Sequence, residues 1–219
     1  MKANLNLGSV SGIKIKVHWT FFFLIAWIVF SELKRGGSTE SVLFNVALVL
    51  AVFACVVLHE LGHALTAKRF GIDTKKITLL PIGGVASLER IPESPKQELL
   101  VTLAGPLVNV IIALLLYFIV PVHEFIHLNF TESFETLMSF TWQNFLFLLF
   151  IVNVGLVIFN IIPAFPMDGG RILRALLAMK MDRAKATQIA SNIGQFIAVF
   201  FLLIGFLYNP FLIIIALLS

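Results

Sequence analysis

Three of the ionisable residues in this chain fall within one pentapeptide, His59-Glu60-Leu61-Gly62-His63. The residues before it (Val56-Val57-Leu58) and the stretch leading up to them are apolar. An ionisable group inside a long apolar run is costly, and it marks a functional site by default. Two histidines four residues apart on a helix project from one face, one turn apart. That spacing suits two nitrogen ligands of a single zinc ion. Glu60, next to His59, is placed to act as a general base on water at the metal, whose pKa zinc lowers to about 7. A purely structural cluster would bury three polar groups without a ligand, which is expensive.

A second His-Glu-x-x-His occurs at His123-Glu124-Phe125-Ile126-His127, so the pattern needs context. This copy follows Pro121, and nearby acidic residues are only Glu132 and Glu135. It reads as a solvated loop or interfacial turn. His18, beside Trp19, reads as an interfacial residue. A catalytic zinc takes three protein ligands and keeps one position open. The candidate third ligand is Asp168, in Phe159-Asn160-Ile161-Ile162-Pro163-Ala164-Phe165-Pro166-Met167-Asp168-Gly169-Gly170. The other reading of Asp168 is the N-cap of a following helix, since Asp-Gly-Gly is also turn chemistry. Cys55, one turn before His59, could offer a thiolate. Three successive ligands on one straight helix converge poorly, so a small buried residue is the better reading. Asn109 and Asn160 lie in or at the ends of apolar runs. They either hydrogen-bond between helices or hold a substrate backbone or oxyanion. Gly83 and Gly84 are further candidates for the latter task.

These residues must be positioned by elements that live in lipid. The chain has 219 residues, of which 59% are hydrophobic and 13% charged. Soluble domains carry about 25% charged residues. Disorder, a collagen-like chain, a disulfide scaffold and an ordinary soluble enzyme are excluded, and the single Cys55 forbids an internal disulfide. The expected fold is an all-α polytopic membrane protein of about six transmembrane helices. A short membrane-associated β-hairpin should lie between the second and third, where Pro81, Gly83 and Gly84 interrupt the apolar stretch Ile77 to Leu88. The apolar runs are 17–33, 42–67, 97–120, 142–162 and 189–208, with 210–219 incomplete. They read as one membrane core over 1–219, without a cleavable signal peptide. Arg171 to Arg183 reads as an interfacial helix with snorkelling basic residues.

Fourteen of the sixteen basic residues fall before the first run, between the second and third, or between the fourth and fifth. Alternating spans place all three groups on one side, which the positive-inside rule makes cytoplasmic. The net charge of +4 is therefore a topology signal, and no nucleic-acid partner is expected. Depth then favours Asp168 as a ligand. His59 lies 17 residues beyond Val42, about 26 Å along a helix, near the cytoplasmic edge of a core about 30 Å thick. The fourth run travels the same way and breaks at Pro163 and Pro166, just before Asp168.

The pentapeptide at 59–63 followed by the Asn160 to Gly170 stretch resembles the site-two protease family of intramembrane zinc metalloproteases. Pro81-Ile82-Gly83-Gly84-Val85-Ala86 and Ala104-Gly105-Pro106-Leu107-Val108-Asn109 resemble the same family's core. The resemblance runs from His18 to Pro210. It implies a six-helix core, one zinc ion on His59, His63 and Asp168, and Glu60 as catalytic base. It further implies cleavage within or beside a transmembrane segment of a single-span or membrane-tethered protein. The short loops resemble the prokaryotic branch whose members often carry a C-terminal pair of nucleotide-sensing CBS domains. A nucleotide partner would thus come only with a domain beyond residue 219. The other reading from a different class is a zinc-binding membrane transporter. That would need a polar path across the bilayer, whereas the outer halves of these runs hold almost no ionisable residues.

Overall fold

The computed structural model describes residues 4–81, 83–90, 92–122 and 140–207. The incomplete run 210–219 and the second His-Glu-x-x-His at His123, Glu124 and His127 lie outside these residues. Two strands, β1 (Asn4–Val10) and β2 (Ile13–His18), lead into helices α1 (Phe21–Lys34) and α2 (Thr39–Arg69). Strands β3 (Thr74–Leu80) and β4 (Gly83–Leu88) precede α3 (Pro95–Ile119), and α4 (Trp142–Ile161), α5 (Asp168–Ala178) and α6 (Arg183–Leu207) follow. Helices α2, α3, α4 and α6 are each long and apolar enough to cross a membrane. Large side chains on them, such as Phe118 and Phe206, are more than 80% exposed, which suits a surface solvated by lipid.

The helix ends follow local chemistry. Ser38 caps α2, its side chain accepting the Ser41 N–H at 3.2 Å, and Thr141 does the same for α4 through Asn144. Pro95 opens α3, where its missing N–H costs nothing.

Two expectations need correction. The run 17–33 does not form one long helix. Val17 and His18 belong to β2, and α1 has 14 residues. That is about 21 Å of helix, short of a core about 30 Å thick. Nor is the fold purely helical with one hairpin. The sheet has four strands in the order β1-β2-β3-β4, with β2 and β3 parallel and the outer pairs antiparallel. The physical reason is the alternation Ile13-Lys14-Ile15-Lys16-Val17, a period-two pattern with one apolar face. Ile13 packs with Ile77 against Leu61 and Ala64 of α2, and Val17 packs with Leu79 and Phe21. The sheet thereby braces the helix that carries the pentapeptide. Its β2–β3 register sets Lys14 beside Lys76, so the N-terminal segment and the α2–α3 connection lie at one end of the molecule.

Candidate metal centre

His59 and His63 lie on the buried face of α2, 6% and 8% exposed. Their Nε2 atoms are 3.1 Å apart, and each faces Oδ2 of Asp168, at 3.2 Å for His59 and 3.0 Å for His63. The three ligand atoms all lie within 4.8 Å of one another. Asp168 is the first residue of α5. Met167 is the N-cap and makes no side-chain capping bond. The carboxylate of Asp168 turns to the imidazoles, so its alternative reading as a cap is not what the structure shows.

The proton positions on both imidazoles follow from their other nitrogens. His63 Nδ1 lies 2.8 Å from the Val101 carbonyl oxygen, a pure acceptor, so Nδ1 carries the hydrogen. His59 Nδ1 lies 2.5 Å from Asn109 Oδ1. That amide's orientation is fixed from further away. Asn153 Nδ2 donates to the Leu149 carbonyl at 2.8 Å, which leaves Asn153 Oδ1 to accept from Asn109 Nδ2, also at 2.8 Å. Asn109 Oδ1 therefore faces His59 and accepts from it. Each neutral imidazole then has a bare lone pair on Nε2, and both lone pairs meet a carboxylate oxygen. Three electron-rich atoms crowded together repel unless a cation or protons sit among them. The donor set, two imidazole nitrogens and one carboxylate, is one that zinc accepts. The residues fit the metal.

Close backbone approach builds this geometry. A Cβ at Gly62 would stand 2.7 Å from the Ala104 carbonyl oxygen, so α2 and α3 touch there. One at Gly105 would overlap the His63 ring and stand 2.8 Å from His59 Nε2. A Cβ at Gly169 would overlap the Ile161 and Ile162 carbonyls, which seats Asp168 against the chain leaving α4. Small residues are the ordinary means of such contact between membrane helices. The roles of Gly62 and Gly105 were missed in the sequence, although glycine within an apolar run is the signal for them.

A second device holds α5 in place. Glu98, 2% exposed, receives Arg174 on Oε1 and Arg183 Nη2 on Oε2 at 3.1 Å. The Arg174 guanidinium also lies over the Phe165 ring, 5.5 Å from its centroid. The stretch 171–183 is not one helix: α5 ends at Ala178 and Arg183 opens α6, and Arg174 turns inward to Glu98 rather than outward. It ties α5 and the Phe165 turn to α3. Glu98 was missed because its partners lie 76 and 85 residues away in sequence.

The histidines and Asp168 open onto a cavity of about 640 Å³ that Glu60, Gly83, Gly84, Asn160 and Arg171 also line. A Cβ at Gly84 would stand 2.8 Å from Glu60 Cγ, so β4 lies directly over that side chain. Asn160 Nδ2 donates to the Leu156 carbonyl at 2.9 Å. Asn109 is fully buried and its amide is engaged by His59 and Asn153. Of its two readings, the interhelical hydrogen bond is the one the structure shows. Cys55 is buried against Asn153 and is not among the three grouped ligands.

Known proteins resemble this chain over most of its length. A zinc metalloprotease of Methanocaldococcus jannaschii is 40% identical over 218 residues, covering 99% of this chain and 58% of that protein. A relative from Synechocystis is 33% identical over 203 residues, covering 89% of this chain and 50% of that protein. The chain therefore spans between half and three fifths of the length of these relatives. The solved structure of a site-2 protease from Methanocaldococcus jannaschii matches with a TM-score of 0.62 at 37% identity, over 98% of this chain and 91% of that one. The family model for peptidase family M50 matches residues 47–205, from within α2 ahead of the pentapeptide, through the Asp168 turn and into α6, and the chain belongs to that family.

Proposed function

We propose that this chain is the catalytic core of an intramembrane zinc metalloendopeptidase that hydrolyses a peptide bond within or beside a transmembrane segment of a membrane-tethered protein. The observation that carries this reading is the convergence of two bare imidazole nitrogens and the Asp168 carboxylate on a cavity that Glu60 shares. In this reading His59, His63 and Asp168 hold the ion. When bound, zinc supplies a Lewis acid that polarises a carbonyl and acidifies water.

The remaining work falls to the chain's own residues. Glu60 takes a proton from the attacking water and returns it to the leaving amine nitrogen. Asn160 lines the cavity and has one amide N–H beyond the one given to Leu156, which this reading assigns as a donor for developing negative charge. A helical substrate hides its backbone in internal hydrogen bonds, so it must unwind before cleavage. The edge strand β4 lines the cavity at Gly83 and Gly84, where an unwound segment can add as a further strand. The missing Cβ of Gly84 is what lets β4 lie this close to Glu60.

In the same reading the site faces the cytoplasm, with the N-terminus on that side. The support is the gathering of basic groups at one end: Lys14 pairs in register with Lys76, and Arg183 reaches Glu98. The transporter reading gains nothing from the structure. Among the described residues the grouped metal donors are His59, His63 and Asp168, at one depth rather than along a path. The test is co-expression with a library of single-span substrates, comparing wild type with Glu60→Gln. Cleavage by the wild type and none by Glu60→Gln is the expected result, and equal cleavage by both removes Glu60 from the mechanism.

A further inference from the structure

The candidate ligand His59 is held at the end of a chain of amides that crosses two helix interfaces. Asn109 on α3 and Asn153 on α4 are both 0% exposed. Asn153 directs one amide N–H to the Leu149 carbonyl of its own helix, and its Nδ2 also lies 3.5 Å from Cys55 Sγ. Both contacts pull the amide nitrogen away from α3, so Oδ1 is what Asn153 presents to Asn109. An asparagine amide is nearly symmetric in shape and can flip at small steric cost. Flipped, Asn109 would present Nδ2 to His59 Nδ1. The imidazole would then have to accept there, placing its proton on Nε2, the atom that faces Asp168.

We propose that Asn153 is a positioning residue for the metal site: by accepting from Asn109 Nδ2 it locks the Asn109 amide, and through it holds the tautomer of His59 that leaves Nε2 bare. The partner that matters is an acceptor at position 153, not a side chain of a given volume. The idea rests on the reading of His59 as a zinc ligand, and its test separates the two. Loss of an outer partner of a ligating histidine weakens metal binding by about 10- to 100-fold.

The experiment measures zinc affinity of the full chain in detergent by competition with a chelator, alongside thermal unfolding of the metal-free protein. Asn153→Leu keeps the branched shape, at somewhat larger volume, and removes the acceptor. It should weaken zinc binding about tenfold or more. Asn153→Asp, protonated at this fully buried position, gives its O–H to Leu149 and keeps the acceptor for Asn109, and should stay within about threefold of wild type. Asn109→Asp presents only acceptor oxygens to His59 and has no amide to orient. The double variant Asn109→Asp with Asn153→Leu should therefore bind zinc as Asn109→Asp does alone. That pair also covers the case in which Asn153→Leu by itself fails to fold. Zinc binding by Asn153→Leu equal to wild type overturns the proposal. So does a tenfold loss that persists in the double variant, which would mean packing rather than orientation. A wild-type chain that binds no zinc would instead overturn the reading of His59 as a ligand.

Discussion

Gly105 offers the sharpest test of how the metal centre is built. Replacing it with alanine adds one methyl group where α3 crosses the two imidazoles. That carbon would overlap the His63 ring and stand 2.8 Å from His59 Nε2. Ordinary carbon contact begins at about 3.5 Å, so His59 must retreat by about 0.7 Å and His63 by more. Metal–ligand distances tolerate only about 0.2 Å. The imidazoles can rotate aside when no ion is bound, but not while both hold one. The overpacking cost of about 1–3 kcal/mol therefore falls mainly on the loaded state, and zinc binding should weaken by about 5- to 150-fold. Chelator competition on purified protein reads the affinity, and thermal unfolding of the metal-free chain should change much less. Gly155→Ala is the control, because its Cβ would meet nothing within 4 Å. It should leave zinc affinity unchanged and gain about 0.5–1 kcal/mol from the helix preference of alanine. A Gly105→Ala chain that binds zinc as tightly as wild type would refute the claim that α3 packs on the ligands.

Other perturbations separate the parts. Gly84→Ala presses on Glu60 from β4. It should lower the turnover of a single-span substrate while leaving zinc content at the wild-type level, and lost zinc would contradict the separation of base from ligands. Glu98→Gln removes the charge that Arg174 and Arg183 share. The Arg183 side chain is 38% exposed, so the cost should fall near the low end of the about 3–5 kcal/mol for breaking a buried pair. An unchanged melting temperature would show that this network does not hold α5. Replacing His123 and His127 together with alanine should leave cleavage intact in a substrate assay, and a loss would bring the second His-Glu-x-x-His into the mechanism.

What could be read from the residues alone divides along range. His59, Glu60 and His63 lie within one turn and a half of helix, and ionisable groups in an apolar run are visible without a fold. Asp168 was reachable because two apolar runs that alternate in the expected topology bring it and His59 to the same depth. The later helices were legible for the same reason: Trp142–Ile161 and Pro95–Ile119 are long apolar runs bounded by proline or polar residues. The N-terminal strands were lost to a boundary choice. Val17 begins an apolar run and also ends the alternation from Ile13, and burial of its side against Leu79 decided for the strand. The parallel pairing of β2 with β3, the meeting of Glu98 with two arginines, and the amide chain through Asn153 depend on residues dozens of positions apart. Each asparagine or arginine there looks like any other polar residue near a span end. Asn109 shows the limit clearly, since its sequence position permits a substrate contact as well as a support, and only its bond to His59 distinguishes them.

The central claim is that His59, His63 and Asp168 together hold one zinc ion. Its most direct measurement is the metal content of the purified full chain by elemental analysis, with single variants beside the wild type. One zinc per chain is expected in the wild type and in Glu60→Gln, with loss in His59→Ala, His63→Ala and Asp168→Ala. Full zinc content in Asp168→Ala would contradict the account, and so would a wild-type chain that carries none.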